Sequence, residues 1–180
     1  MIRKSMFMWV WIVAAGSLIG CAAGGRAKVV PAATAEQSAL LLDQVKALEG
    51  TWEMTDDQGT KFVAAVFTVS SSGSVVREVM FPGSPHEMTN VYHMDGPTLV
   101  MTHYCAAGNQ PRMRATATRP GEIALKFDSV TNLKAADEKY MGELTITMSG
   151  PDKVDAAWKS FVRGEAVADH SPVFTMTRKK

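Results

Sequence analysis

Between Gly50 and Arg178 the chain is cut into short runs in which apolar and polar residues alternate, and most runs end near glycine, proline, asparagine or aspartate. Ile123, Leu125 and Phe127 fall on one side of such a run, and Glu122, Lys126 and Asp128 on the other. Leu144, Ile146 and Met148 alternate with Thr145 and Thr147 in the same way. A period of two buries one face of a strand and leaves the other in water, which is the pattern of an antiparallel sheet. The runs are Thr51–Thr55, Lys61–Ser70, Ser74–Phe81, Glu87–Met94, Thr98–Cys105, Arg112–Thr118, Glu122–Asp128, Tyr140–Met148, Ala156–Arg163 and Val173–Arg178, with a loop or short helix over Thr131–Asp137. So many short strands predict a sandwich or a closed barrel. Closure removes the exposed edges that invite aggregation. The expected fold is therefore mainly β, an antiparallel up-and-down β-barrel of about ten strands.

One segment breaks the strand pattern. In Ala35–Glu49 the residues Leu41, Val45 and Leu48 recur at helical spacing, and Leu42 widens the stripe. Thr34 suits the N-cap and Gly50 the stop. This predicts one N-terminal helix capping the barrel, and a barrel domain over residues 35–180. About 145 residues suffice for a single domain with its own core.

The first residues have a different character. Arg3 and Lys4 precede an uncharged apolar run from Met6 to Ile19, which predicts a signal peptide over residues 1–20. Leu18-Ile19-Gly20-Cys21 resembles the lipobox of bacterial lipoproteins. That resemblance implies that Cys21 becomes the acylated N-terminus and joins the protein to membrane lipid. Without it, Cys21 is an ordinary residue at the end of a signal. Several acyl chains, at about 0.8 kcal/mol per buried methylene, hold a protein on a bilayer stably where one does not. Ala22, rather than an aspartate, implies the outer rather than the inner membrane, in a bacterial envelope. Residues 21–34, small and rich in glycine and alanine, then form a tether.

Charge and cysteine count narrow the partners. Removing Arg3 and Lys4 with the signal turns the net charge of +1 into −1, and no basic face points to nucleic acid. Nothing here speaks to oligomeric state. With Cys21 acylated, Cys105 has no disulfide partner, so its thiol is either packed as a small hydrophobe or used.

Gly50-Thr51-Trp52 on the first strand, with a helix before it and Arg178 on the last strand, resembles the calycin superfamily, which includes lipocalins, fatty-acid-binding proteins and nitrobindin-like barrels. The resemblance spans residues 40–180 and is nearest to uncharacterised lipocalin-like domains of exported bacterial proteins. It implies that Gly50, Trp52 and Arg178 close the barrel base, with the guanidinium over the indole. It also implies a barrel that binds a small apolar or amphipathic molecule. Nitrobindin-like relatives bind haem through a late histidine, for which His170 is the candidate. The glycines that follow the tryptophan in that group are absent here, where Trp52 precedes Glu53-Met54-Thr55.

The richest chemistry lies in a hairpin and the loop after it. With Asp95-Gly96 as its turn, Tyr92 pairs with Leu99, Met88 with His103 and His86 with Cys105. One face then carries His86, Met88, Asn90, Tyr92, Leu99, Met101, His103 and Cys105, and this bulkier face is expected inside. Three readings stay open. In the first, His86, His103 and Cys105 hold a transition metal, although their spacing matches no strong motif. In the second, Met88, Tyr92 and Met101 line a ligand pocket whose polar end is made by His103, Asn109, Gln110 and Arg112. In the third, these residues only pack and turn the chain. A thiol enzyme built on Cys105 and His103 lacks an evident acidic orienter. Trp158 and Phe161 lie on opposite faces of one strand, so at most one enters the core. The expectation is a lipid-anchored binding barrel, with no cofactor and no catalytic residue assigned.

Overall fold

The structure, a computed structural model, describes residues 29–116, 119–169 and 171–180. Residues 1–20, where a signal peptide is expected, Cys21 and His170 lie outside the described residues. Eleven strands follow two short helices. They are α1 (Ala35–Leu40), α2 (Leu42–Lys46), β1 (Gly50–Thr55), β2 (Lys61–Ser70), β3 (Val75–Met80), β4 (Met88–Asp95), β5 (Thr98–Tyr104), β6 (Gln110–Ala115), β7 (Glu122–Thr131), β8 (Tyr140–Met148), β9 (Lys153–Val162), β10 (Glu165–Val167) and β11 (Val173–Arg178). Strands β1 to β9 each pair with the next, and β11 lies between β9 and β1. All pairings are antiparallel, so ten strands close into an up-and-down barrel. The short β10 is an extra strand on the far end of β9. Among the described residues no helix is long and apolar enough to cross a membrane.

The single long helix expected over Ala35–Glu49 is instead broken at Leu41 (φ −122°, ψ −87°). Continuous helix would point adjacent residues about 100° apart. The break lets both Leu41 and Leu42 bury, together with Val45 and Leu48. Its start is as expected: the Thr34 side chain accepts from the Gln37 amide, and Gln37 reciprocates as a capping box. Gln44 Oε1 accepts from the Gly121 amide at 2.9 Å, which ties α2 across the barrel end formed by the β6–β7 turn.

Trp52 and Arg178 face each other across β1 and β11. The guanidinium carbon lies 4.4 Å from the Trp52 ring centroid. Arg178 also donates to the carbonyls of Ala47 (2.9 Å) and Glu49 (2.7 Å), and so satisfies acceptors that the end of α2 leaves open. The Trp52 indole donates to Leu48 O at 2.7 Å. Gly50 has φ +124°, and a Cβ there would sit 3.2 Å from Arg178 Nη1. Both backbone conformation and closeness therefore select glycine.

The hairpin turn differs from expectation. Asp95 pairs with Thr98, so Gly96-Pro97 are the two turn residues, and Gly96 has φ +59°. Proline cannot take positive φ, so the turn puts its one left-handed residue first, as type II′ turns do. Tyr92 now pairs with Met101 and Asn90 with His103. Each residue of β4 meets a partner two places further along β5 than expected. A slip of two preserves the face, and Asn90, Tyr92, Leu99, Met101 and His103 are all buried.

A bulge between Met141 and Glu143 changes which face of β8 points inward. A Cβ on Gly142 would lie 2.3 Å from the Phe161 ring, so only glycine lets that ring rest there. Phe161 then stacks with Tyr140 and Phe127 in a small aromatic cluster apart from the main core, while Trp158 belongs to that core.

Candidate functional site

The two ends of the barrel are built differently. At one end the helices and the turns at Ser71–Gly73, Gly96-Pro97 and Gly150-Pro151 surround a solid core that includes Trp52, Val76, Tyr92, Leu99 and Met101. The other end opens into a cavity of about 970 Å³. Its wall is apolar, with Phe62, Met80, Phe81, Met88, Met141 and Phe174 supplying most of the bulk. Phe81 and Phe174 meet edge to face, with ring centroids 5.3 Å apart. Among the described residues no lysine, arginine, aspartate or glutamate lines this cavity.

A chain of buried polar groups runs behind the wall. Strand alternation aims Glu78 inward between Val76 and Met80, and Asn90 opposes it on β4. Glu78 Oε2 accepts from Asn90 Nδ2 at 2.7 Å and from the Tyr92 hydroxyl at 2.7 Å. Asn90 Oδ1 lies 2.6 Å from His103 Nδ1. Because the Asn90 amide nitrogen faces Glu78, its oxygen faces the imidazole, and Nδ1 must carry the proton. His103 Nε2 is left as a bare lone pair, buried and without a partner. Burial pushes the His103 imidazole down to about 4, so it is neutral at ordinary pH. Burial likewise pushes the Glu78 carboxyl up, against the lowering effect of the bonds from Asn90 and Tyr92.

Trp158 adds a second orphan. Its ring centroid lies 4.9 Å from that of His103, and its indole N–H is buried with no acceptor. An unsatisfied buried donor or acceptor costs on the order of 1–3 kcal/mol, so two side by side on a cavity wall form a place that favours a polar guest.

The expected site residues separate into groups. His86, Met88, His103 and Cys105 line the cavity, with His86 exposed at the rim. Tyr92 and Met101 are fully buried below it, in the solid core. Asn109 and Gln110 serve loop structure: Asn109 Nδ2 donates to Glu138 Oε1 at 2.8 Å, and Gln110 Nε2 to Gly108 O at 2.8 Å. With Asn132 and Lys134 donating to Gly108 O and Ala107 O, these bonds lash the β5–β6 loop to the β7–β8 loop. Arg112 is not at the polar end of a pocket. It lies on the outer surface beside Arg114, which bonds Asp95 and Asp128 at 2.9 Å each. The reason is register, since Pro111, Met113 and Ala115 take the inward positions of β6.

The metal candidates do not gather. Among the described residues no group of three or more histidine, cysteine, aspartate or glutamate side chains is placed to hold an ion. Cys105 is a half-buried free thiol at the start of a turn, where Gly108 N donates to its carbonyl at 2.9 Å. The site is completed by Glu78, which the sequence reading missed, by Asn90, which it placed on the inward face without a role, and by Trp158, which it weighed only for the core. A glutamate alternating with Val76 and Met80 was the available signal. Neither the protein-family models nor the curated protein sequences contain a match to this chain.

Proposed function

We propose that this protein is a lipid-anchored envelope protein of the calycin kind, whose barrel holds a small apolar or amphipathic ligand in its open end. The observation that carries the reading is the apolar cavity of about 970 Å³ lined in part by His103 and Trp158, each of which holds a buried ring nitrogen without a partner. Pockets for small molecules combine apolar walls with a few placed polar groups in this way. The lipobox-like Leu18-Ile19-Gly20-Cys21 supports attachment to the membrane, and Ala22 supports the outer membrane. The described chain begins at the closed end, where Val30 and Pro31 pack on Gly96.

A second reading rests on the same histidine. A bare Nε2 whose Nδ1–H is oriented by Asn90, itself held by Glu78, is how a protein presents an imidazole to a metal. Under this reading His103 would hold the iron of a haem, with Cys105 on the same cavity wall. Native mass spectrometry of the full chain, purified in mild detergent without chelator, separates the two. A co-purifying organic mass supports the binding barrel. A haem mass with a Soret band lost in His103→Gln replaces it with the second reading. A bare chain that also takes up neither an apolar dye nor haemin contradicts both.

A further inference from the structure

We infer that the ligand's head is an uncharged hydroxyl, as in a long-chain alcohol or another neutral hydroxylated lipid, bound between His103 Nε2 and Trp158 Nε1. The inference rests on the binding-barrel reading and sharpens it. The two orphan atoms are of opposite kind: the imidazole nitrogen accepts and the indole N–H donates. A hydroxyl does both at once, with its O–H directed to Nε2 and its oxygen receiving the indole proton. The two rings lie 4.9 Å apart, close enough for one head group to reach both. An amine head would offer donors to the imidazole but carries its charge into an apolar wall. A carboxylate would accept from Trp158 but would face a lone pair at His103.

Charge decides against both ions. No cationic side chain lines the cavity among the described residues, so a bound carboxylate has no partner. Burying an unpaired charge is far costlier than burying a bonded hydroxyl. The rest of the molecule is constrained as well. Phe62, Phe81, Met88, Met141 and Phe174 offer only apolar contact to a chain or ring system extending toward the mouth.

The test uses residues 29–180, which hold all ten strands of the closed barrel and its core from Leu41 to Met176. The probes are 1-decanol, sodium decanoate and the neutral dye N-phenyl-1-naphthylamine, titrated by fluorescence and calorimetry at pH 8. The expected result is decanol binding about tenfold or more tighter than decanoate, and a loss of about tenfold for decanol in Trp158→Phe, the equivalent of one hydrogen bond to a buried group. A Trp158→Phe melting temperature equal to that of the parent shows that the variant is folded. Decanoate binding as tightly as decanol overturns the neutral head. Dye binding with no preference for decanol, or a decanol affinity indifferent to Trp158→Phe, also overturns it while leaving the pocket standing. Failure of all three probes to bind overturns the pocket itself.

Discussion

Two tryptophans, on β1 and β9, sit in the same barrel and are treated in opposite ways. Trp52 at the closed end has its indole N–H bonded to Leu48 O and its face under Arg178. Trp158, at the cavity, is equally buried but its N–H has no partner. The first spends every interaction a tryptophan can make on holding the fold. The second withholds one. The closed end is thus a structural plug, whereas the open end keeps two unpartnered ring nitrogens on residues that line an apolar cavity.

Substitutions test that division, and the largest difference comes first. Trp52→Ala should cost about 3–5 kcal/mol, because it removes a fully packed ring and strands both Leu48 O and Arg178. Phe81→Ala, at the half-buried rim, should cost about 1 kcal/mol, since one side of that ring already borders open space. Urea unfolding of both variants checks the contrast. Equal losses would erase the distinction between plug and cavity.

Acid comes next. The folded imidazole of His103 holds its proton only near pH 4, against 6.5 unfolded. Between those values the unfolded chain binds more protons. Stability from this group is full above pH 6.5 and is lost as pH falls toward 4, on the order of 3 kcal/mol in total. Glu78 acts in the opposite sense: its raised carboxyl takes up a proton earlier in the folded state and so favours the fold as pH drops below that raised value. The expected outcome is a falling urea midpoint from pH 7 to pH 4.5, steeper in Glu78→Gln and flat or rising in His103→Gln. A profile unchanged by His103→Gln would show that the imidazole is not held neutral by burial.

The smallest effect carries an unusual sign. Trp158→Phe removes a buried donor that has no acceptor, so the unliganded protein should lose almost nothing, or gain up to about 1 kcal/mol. Trp52→Phe, the same substitution at the plug, should lose about 2 kcal/mol through its lost hydrogen bond and a weakened cation–π contact. Thermal melts of the two variants side by side read the difference directly.

The barrel was legible because strand alternation is a local property. Lys61–Ser70, Tyr140–Met148 and Val173–Arg178 occupy the spans that their patterns mark. The hairpin face survived a mistaken turn because the slip was even-numbered. What resisted was set by contacts distant in sequence. Nothing near Leu41 announces a helix break, which depends on the surface that Leu41 and Leu42 must both reach. Arg112 resembles a pocket residue by its neighbours, yet the regular alternation of β6, with Pro111, Met113 and Ala115 inward, leaves it outside. The amides of Asn109 and Gln110 looked like ligand groups because their partners, Glu138 and Gly108, become neighbours only when two loops are lashed together. Asn90 and Glu78 were hidden for the converse reason. Each was an ordinary polar residue until cross-strand pairing put them in line with His103.

The most direct measurement follows the two indole N–H resonances by ¹⁵N NMR, assigned with Trp52→Phe and Trp158→Phe, as decanol is added to residues 29–180. The account predicts that the Trp158 N–H signal shifts downfield on gaining an acceptor and becomes protected from solvent exchange, while Trp52, already bonded to Leu48 O, stays in place. A shift at both, or at Trp52 alone, or none at Trp158 under saturating decanol, would contradict a ligand seated on the open end of the barrel.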